Sequence, residues 1–283
     1  MAKHGFDEEI ERCIVCGDHD IREHIIDFRG IRISKCTICN FRFMNPQYSD
    51  EYLSEYYGNI TYKTHEGCDY WHEPLLYGHD FYLSVIERFA RPGKLLDIGC
   101  GNGYLLEAAM RRNWVVEGYD VDWKSTQAVS ERLGINVHSG DFFSLHLSED
   151  YDLVTMHQVL EHLKDPNRHL KRIRQLTKHG GYLFVAVPNI VSLSNRVQLF
   201  WEKIGLRKKK IGKYYDTNHH VAYFEPRTLT ALLNNHGFKV LHRRNCHRVR
   251  PNQSKLRRFV MRNLTDHLFA KSAFMVIARK AEQ

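Results

Sequence analysis

Apolar and polar residues recur at two alternating spacings through the middle of the chain. Short apolar runs predict strands at 94–98, 115–120, 135–138, 151–157 and 182–188. Apolar residues at helical spacing predict helices between these strands, at 104–112, 124–133 and 166–178. Strands and helices that alternate in this way are typical of a parallel sheet with crossover helices. The pattern therefore predicts an α/β fold with a doubly wound sheet.

The carboxyl ends of the predicted strands indicate where a ligand would bind. Right-handed crossovers align these ends along one edge of the sheet, and open α/β sheets bind their ligands there. The polar positions at this edge are residues 97–103, Asp120, Asp141 and His157. The helix after the fourth strand has Asp165 as its predicted N-cap, Pro166 at its first position and Gly180–Gly181 beyond its end.

Both ends of the chain depart from this alternation. Before the sheet, the pattern predicts two short strands, a Tyr-rich stretch and an amphipathic helix, at 21–28, 31–33, 48–62 and 81–89. After it come an apolar segment, a helix and a final pair of strands, at 190–212, 228–235, 238–243 and 273–279. We therefore divide the chain into an N-terminal unit (1–46), a helical lead-in (47–92) and an α/β domain (93–283) that contains an insertion (190–218).

Four of the seven cysteines form two Cys-x-x-Cys pairs in the N-terminal unit: Cys13, Cys16, Cys36 and Cys39. Two thiolates separated by two residues can bind one tetrahedral ion, and a second pair completes a four-thiolate site. Gly17 suits a tight turn after the first pair, and Asn40 stands at the corresponding position after the second. We predict a zinc-ribbon-like unit with a structural zinc ion. The remaining cysteines, Cys68, Cys100 and Cys246, are predicted to be packing residues.

Positive charge is concentrated in two clusters. The 283 residues include 41 basic and 33 acidic side chains, which gives a formal net charge of +8. Much of the excess lies at 207–213 and among the arginines of 243–258. Such clusters attract phosphates, nucleotide-sugars, nucleic acid or anionic lipid, although a solvated basic surface has the same sequence pattern. The basic runs lack the interleaved aromatic residues of a base-reading protein, so nucleic acid is the less favoured partner.

The sequence predicts a cytoplasmic protein. No apolar run reaches the roughly 18 to 20 residues that a membrane-spanning helix needs. Residues 1–10 combine a lysine with acidic residues and have no apolar core, unlike a signal peptide. A reducing compartment would also keep the four paired thiols free to bind zinc.

The segment 95–104, Leu-Leu-Asp-Ile-Gly-Cys-Gly-Asn-Gly-Tyr, is the strongest functional signal. An apolar strand carries Asp97 near its end and turns through alternate glycines, at 99, 101 and 103, into a helix. Alternate glycines let the backbone approach a ligand closely. The dinucleotide fingerprint spaces its glycines differently, over a pyrophosphate. An acid here favours a ligand with a positive group, such as S-adenosylmethionine, whose methionine part carries an ammonium and a sulfonium.

Acidic residues after the next two strands fit the rest of the same ligand. Asp120 ends the second strand and can accept both ribose hydroxyls, as an acid at this position does in nucleotide folds. Asp141 and Phe142 follow the third strand. They offer a carboxylate near the adenine amino group and a ring that covers the base.

Together these segments resemble the successive motifs of the class I S-adenosylmethionine-dependent methyltransferases, which have a Rossmann-like fold. The closest resemblance is to the branch that has Leu160-Glu161-His162 followed by Asp165-Pro166. That branch includes ubiquinone-pathway O-methyltransferases and methyltransferases of sugar and surface-polysaccharide pathways. The segment 220–229, the two cysteine pairs and the Tyr-rich stretch resemble it too. The resemblance implies a seven-stranded sheet whose last strand is antiparallel.

The resemblance also implies roles for single residues. The donor site would comprise Asp97, Gly99, Cys100, Gly101, Gly103, Asp120, Val121, Asp141, Phe142 and His157. His157 and Gln158 would lie beside the transferable methyl group. Ubiquinone-pathway enzymes that resemble this chain carry a second acid three residues before the Glu-His pair, in a set linked to a divalent metal. Gln158 stands there in this chain, which argues against metal-dependent catechol chemistry.

The group that activates the acceptor is expected to be an imidazole. Methyl transfer needs a nucleophile held about 3 Å from the methyl group and often a base that removes its proton. Imidazoles titrate near neutral pH, and the candidate catalytic residues are His157, Glu161, His162, His219 and His220. We expect His220 to be the base, with His157 as the second candidate. His162 would equally well cap or pack at the start of the next helix.

The sequence therefore predicts an S-adenosylmethionine-dependent methyltransferase whose acceptor is a small, anionic molecule, a sugar or nucleotide-sugar. The alternatives are a ubiquinone-type O-methyltransferase, a nucleic-acid methyltransferase or binder, and a protein that binds the donor without catalysis. Residues 190–218 are predicted to form a lid over the acceptor, because Val197, Phe200, Trp201 and Ile204 recur near helical spacing. The apolar and basic residues of 190–215 would also suit a membrane surface.

Overall fold

The N-terminal part of the chain forms three short strands and then two helices. The computed structural model describes residues 5–59, 69–206, 210–246 and 271–282, without the side chains of 58–59 and 69–77. The strands are β1 (Ile21–Ile26), β2 (Arg32–Cys36) and β3 (Arg42–Met44). The helices are α1 (Asp50–Asn59) and α2 (Asp69–Ile86). Both helices lie within the predicted helical lead-in.

Strands and helices then alternate as the apolar pattern predicts. The first half of this region comprises β4 (Lys94–Ile98), α3 (Tyr104–Met110), β5 (Val115–Tyr119), α4 (Trp123–Leu133), β6 (Val137–His138) and β7 (Tyr151–His157). A 3-10 turn (Leu160–His162) leads into α5 (Pro166–Leu176) and β8 (Thr177–Pro188). The remainder comprises α6 (Leu193–Lys203), a 3-10 turn (Lys213–Tyr215), β9 (Ala222–Tyr223), α7 (Pro226–Asn235), β10 (Phe238–Asn245) and β11 (Ala273–Lys280).

Seven of the described strands form one mixed sheet, in the order β10-β11-β8-β7-β4-β5-β6. Strands β4 to β8 are parallel, and β11 runs antiparallel between β8 and β10. The doubly wound α/β sheet with an antiparallel last strand is therefore confirmed. Most side chains of β4 and β7 and of residues 183–187 in β8 are buried, because helices cover both faces of a parallel sheet.

A smaller antiparallel sheet joins residues that are far apart in sequence. Its order is β1-β2-β3-β9, so β9, from the second half of the chain, completes the sheet that carries the cysteine pairs. Arg42 pairs with Tyr223 and Phe43 with Ala222. Phe41 also packs on Phe224, with ring centroids 5.3 Å apart. The boundary between the N-terminal unit and the rest of the chain, at residue 46, stays a prediction. The small sheet contains strands from both sides of it.

Two predicted element boundaries differ from the structure around α5. Asp165 does cap the helix, since its carboxylate accepts a hydrogen bond from the backbone N–H of Arg168 at 2.9 Å. The helix ends at Leu176, however, and β8 begins at Thr177. Thr177 pairs with Tyr151 and Tyr182 with Leu153, so residues 178–181 form an irregularity inside the strand. Gly180 and Gly181 therefore belong to this strand and do not end the helix.

No described helix is both long enough and apolar enough to cross a bilayer.

Candidate functional site

Asp97 lies in β4 at the carboxyl edge of the sheet and is almost completely buried. Its side chain is 3% exposed, and Oδ1 accepts a hydrogen bond from Thr155 Oγ1 at 2.6 Å. Burial raises the pKa of Asp97 to about 7, and the nearby charge of Asp120 adds to the rise while the bond from Thr155 opposes it. A cationic group placed beside Asp97 would favour the ionised carboxylate.

The glycine loop after β4 is fastened to the end of β5. Asp120 Oδ2 accepts the backbone N–H of Gly101 at 2.8 Å, and the Tyr119 carbonyl accepts those of Gly99 and Cys100 at 2.7 and 3.0 Å. Gly99 has φ of 73°, and a Cβ there would overlap the Val159 side chain. Gly103, at 72°, would place a Cβ 2.5 Å from Val129. Both positions therefore require glycine for conformation and for space.

The second predicted acid of the donor site is also buried. Asp120 is 3% exposed, and burial raises its pKa, although backbone N–H groups that it accepts oppose the rise. Its Oδ1 accepts from the Asp122 backbone at 3.1 Å. The next residue, Val121, is 60% exposed and presents an apolar surface at the same edge.

The residues that are predicted to contact the adenine, Asp141 and Phe142, follow β6 in the chain. Phe142 is 3% exposed; its ring stacks on His169 at 5.8 Å and lies 5.0 Å from Tyr119. Asp141 is exposed, and its Oδ1 accepts from the Phe143 backbone at 3.2 Å. Their contact with a base stays a prediction, as do the other assignments in the donor site.

His157 ends β7 and is surrounded by aromatic rings. Ring centroids of His79 and Tyr82, both on α2, lie 5.2 Å from it. Burial lowers the pKa of His157 to about 4 and that of His79 to about 3. Sequence reasoning missed His79, and it assigned Tyr82 only to helix packing. The helical spacing of apolar residues at 81–89 predicts a helix there, but it does not show which strand end that helix contacts.

Gln158, the residue after His157, makes a hydrogen bond to the neighbouring strand. It has φ of 59°, and its Nε2 donates to the Ala186 carbonyl of β8 at 3.3 Å.

Three of the predicted catalytic histidines form one cluster. One ring nitrogen each of His162, His219 and His220 lies within 4.8 Å of the others. The His162 and His219 rings are stacked with centroids 4.9 Å apart, and His220 lies 4.8 and 4.5 Å from them. Burial lowers the pKa of His162 to about 3 and of His220 to about 4. We refer to these residues as the imidazole cluster.

Tyrosines of α1 hold two of these rings. The Tyr57 hydroxyl lies 3.0 Å from His162 Nδ1, and the Tyr56 hydroxyl lies 3.1 Å from His219 Nδ1. The Tyr-rich stretch was predicted as part of the lead-in, and the structure brings it to the candidate site. Its chemical role could not be read from the sequence, since tyrosine is also a common packing residue.

Glu161 lies under the imidazole cluster. The residue is 1% exposed, and its Oε1 is 3.9 Å from His162 Nε2. Among the described residues, neither carboxylate oxygen has a hydrogen-bond partner. Burial raises the pKa of Glu161 to about 8.

Backbone contacts bring the two histidine segments together. The Val221 N–H donates to the Glu161 carbonyl at 2.9 Å, and the Met44 N–H donates to the Val221 carbonyl at the same distance. The Tyr223 hydroxyl donates to the His220 carbonyl at 2.8 Å. The segment that carries His219 and His220 is thus fixed between the turn at Glu161 and the small sheet.

The four paired cysteines meet as predicted. Their sulfur atoms all lie within 4.8 Å of one another, with Cys13 3.4 Å from Cys39 and Cys16 3.6 Å from Cys36. Zinc–thiolate bonds of 2.3 Å would place sulfurs about 3.8 Å apart in a tetrahedron. Gly17 and Asn40 both have positive φ, of 75° and 63°, so the residue after each cysteine pair is left-handed. The geometry and the donor set fit zinc.

The predicted insertion consists of an exposed helix and an anchored loop. None of the residues of α6 is buried, and Val197, Phe200, Trp201 and Ile204 are 43 to 57% exposed. The loop that follows is anchored, because Thr217 Oγ1 donates to the buried carboxylate of Asp27 in the β1–β2 turn. Of the two basic clusters, residues 207–209 and 247–258 lie outside the described part of the chain.

Comparison with known proteins agrees with this geometry. The family model described as a methyltransferase domain matches residues 72–243, which is more than half of the chain. An S-adenosylmethionine-dependent methyltransferase from Archaeoglobus fulgidus has a TM-score of 0.52 at 20% identity, over 73% of this chain and 94% of that protein. One from Mesorhizobium loti has a TM-score of 0.50 at 18% identity, over 72% and 99%. These two likenesses support the fold.

Curated relatives match over a shorter part. A ubiquinone biosynthesis O-methyltransferase of Coxiella burnetii is 33% identical over 134 residues, 43% of this chain and 57% of that protein. One of Saccharophagus degradans is 35% identical over 103 residues, 34% and 44% of the two chains. The chain thus spans about half the length of the curated relatives it matches. Because the family model matches residues 72–243 and the chain has the seven-stranded sheet described above, the chain belongs to the methyltransferase-domain family, with the fold of class I S-adenosylmethionine-dependent enzymes.

Proposed function

We propose that this protein transfers the methyl group of S-adenosylmethionine to a small-molecule acceptor. The observation that carries the proposal is the pair of buried carboxylates, Asp97 and Asp120, on either side of a glycine loop. Asp97 would pair with the donor's ammonium, and Asp120 would accept the ribose hydroxyls. The exposed Val121 would contact the base, with Asp141 and Phe142 at its far edge.

The proposed reaction is an in-line displacement. A lone pair of the acceptor forms a bond to the methyl carbon while the carbon–sulfur bond breaks, so the sulfonium becomes a neutral thioether. The acceptor's proton passes to an imidazole, His220 in the first instance and His157 in the second. Burial depresses the pKa of both, so each ring is neutral at pH 7 and has a lone pair for that proton.

We propose an anionic acceptor, a sugar or nucleotide-sugar, on the basis of the surface next to the imidazole cluster. A cleft there is lined by Phe28, Arg29, Lys213, Tyr214, Asp216 and Asn218. Arg29 donates to the Asn218 side chain, one residue before His219. Two cationic side chains and two aromatic rings suit a phosphate and a sugar ring, respectively.

A ubiquinone-type O-methylation is the second candidate. It is favoured by the curated relatives, which are ubiquinone biosynthesis O-methyltransferases. Against it stands Gln158, which occupies the position of a second acid and donates to a backbone carbonyl.

A parallel assay separates these candidates. Transfer of labelled methyl from S-adenosylmethionine would be measured with nucleotide-sugars, quinone precursors and RNA, with the Asp97→Ala variant as the donor-site control. We expect transfer to a nucleotide-sugar that the variant loses. Transfer to the quinone precursor alone would replace the first candidate by the second, and transfer to RNA alone would refute both.

The four cysteines are proposed to hold a structural zinc ion. Their spacing supports this, as does the left-handed conformation of both Gly17 and Asn40. A cytoplasmic location, which we also propose, would keep these thiols reduced.

We propose that α6 closes over the acceptor. Its apolar side chains are exposed although they share a helix face, so another surface would have to cover them in a closed state. Phe200→Ala with Trp201→Ala should raise the KM for the acceptor and leave donor binding unchanged. Val115→Ala, which removes an exposed apolar side chain at the start of β5, is the control. Unchanged kinetics with lost binding to anionic liposomes would favour a membrane contact instead.

A further inference from the structure

We propose that His162, His219 and His220 bind a divalent transition-metal ion, with the Glu161 carboxylate beside it. The inference rests on the proposed function and changes one part of it. The ion would lie next to the acceptor with His220 as a ligand, so His157, the second candidate base, replaces His220 as the group that takes the acceptor's proton. Ligands about 2.1 Å from a tetrahedral ion lie about 3.4 Å apart. The ring nitrogens are within 4.8 Å, so side-chain rotations would bring them into place.

The hydrogen bonds of the rings suit metal ligands. Histidines that bind metals usually have their second ring nitrogen hydrogen-bonded to a neighbouring group, which fixes the orientation of the ring. Tyr57 and Tyr56 make such contacts with Nδ1 of His162 and His219, at 3.0 and 3.1 Å. Nε2 of both rings is then the atom that would bind the ion.

Glu161 provides the independent observation. A carboxylate in a residue that is 1% exposed is costly to bury without a partner, and within the described residues neither of its oxygens has a hydrogen bond. Its Oε1 lies on the Nε2 side of His162, 3.9 Å away. A cation bound by the three rings would stabilise the ionised form of this carboxylate.

The chemistry of three imidazoles indicates the ion and its use. Imidazole nitrogens suit Zn²⁺, Co²⁺, Ni²⁺ or Fe²⁺ better than Mg²⁺ or Ca²⁺. Three protein ligands leave a position open for an oxygen atom, and a bound cation lowers the pKa of that oxygen. An acceptor hydroxyl would thus lose its proton more readily, and His157, which lies outside the cluster, would be the imidazole that takes it.

Cobalt tests the site separately from the cysteines. Protein whose cysteine site is filled with zinc would be titrated with Co²⁺, without donor or acceptor, and followed by visible absorption and equilibrium dialysis. We expect one Co²⁺ per chain whose spectrum lacks the near-ultraviolet charge-transfer band of cobalt thiolates. A chain that binds no Co²⁺, or only Co²⁺ with that band, would overturn the proposal.

Variants locate the ion. His219→Ala and His220→Ala should abolish Co²⁺ binding, while Tyr57→Phe, which removes only an outer partner, should weaken it about 10- to 100-fold. His179→Ala, an exposed residue of β8, should bind Co²⁺ as the parent does. A circular dichroism spectrum that matches the parent's would show that the variants are folded. Retention of Co²⁺ by both alanine variants would refute the assignment, whereas a failure of methyl transfer would leave it intact.

Discussion

Two acidic side chains define the candidate donor site, and both are buried. Burial raises the pKa of both carboxyl groups, and the nearby charge of Asp120 raises that of Asp97 further. A ligand with a fixed positive charge would offset the cost of ionising these buried groups, because it stabilises the charged carboxylate. The cationic donor is therefore better suited to this pocket than a dinucleotide.

Asp120→Ala should weaken donor binding. A buried carboxylate that accepts ribose hydroxyls contributes roughly 1.5 to 3 kcal/mol, which corresponds to about 10- to 150-fold in affinity. Calorimetry with S-adenosylhomocysteine measures it, with Glu131→Ala, an exposed acid of α4, as the control. Parent protein that binds more weakly than about 1 mM would count against the donor assignment itself.

Asp97→Asn should change how stability depends on pH. The pKa of Asp97 is raised from 3.8 to about 7, so the folded state keeps a proton that the unfolded chain has lost. Its contribution to the free energy of unfolding is present at low pH and is lost as pH rises through about 7. Urea unfolding of donor-free protein between pH 4 and 8 should show a parent that loses stability relative to the variant. Parallel curves would contradict the raised pKa.

Residues whose role is local could be predicted, and those whose role depends on distant partners could not. The glycine loop and the Cys-x-x-Cys pairs are recognised by spacing alone, and Asn40 takes the left-handed conformation that Gly17 takes. His79 reaches His157 only because α2 crosses the end of β7. No local pattern encodes that crossing.

At the level of elements, the buried parallel strands were predictable because each is a short apolar run. The bounds of β4 and β7 match the prediction, whereas β3 and β9, of three and two residues, are too short to show a period. β8 begins earlier than predicted, because its glycines form an irregularity within the strand.

The cysteine pairs make a prediction for the small sheet. Purified protein should retain about one zinc ion per chain, since four thiolates form a closed tetrahedral site. Cys16→Ser should lose that zinc and destabilise β1–β3 more than the large sheet, as hydrogen exchange would report. Cys246→Ser, in a thiol outside the site, is the control. Reduced, carefully prepared protein without zinc would contradict the assignment.

On the scale of the whole molecule, the candidate site is assembled from three separate stretches of chain. The turn at Glu161 and His162, the segment of His219 and His220, and helix α1 meet through hydrogen bonds and stacked rings. The doubly wound fold followed from the sequence, but the convergence of these stretches depends on β9 pairing with β3.

Deletion of residues 1–46 should therefore damage more than the zinc unit. It would delete Phe41, which packs on Phe224, and Asp27, whose carboxylate accepts a hydrogen bond from Thr217. Both deleted residues are buried. We expect a protein that is less soluble and has a lower Tm, measured by scanning calorimetry beside the Cys16→Ser variant. A deletion with the Tm of the parent would show that the two parts are independent.

The pairing of Arg42 with Tyr223 also has a consequence for how the chain folds during synthesis. The ribosome synthesises β1, β2, β3 and the four cysteines long before β9. Until β9 is made, the edge of β3 that pairs with it stays open. An open strand edge can pair with another chain, and contacts between distant residues form slowly. Early capture of zinc by the cysteines would hold the nascent hairpin in shape during that interval. Zinc starvation would accordingly lower the yield of newly made protein more than the survival of protein already folded.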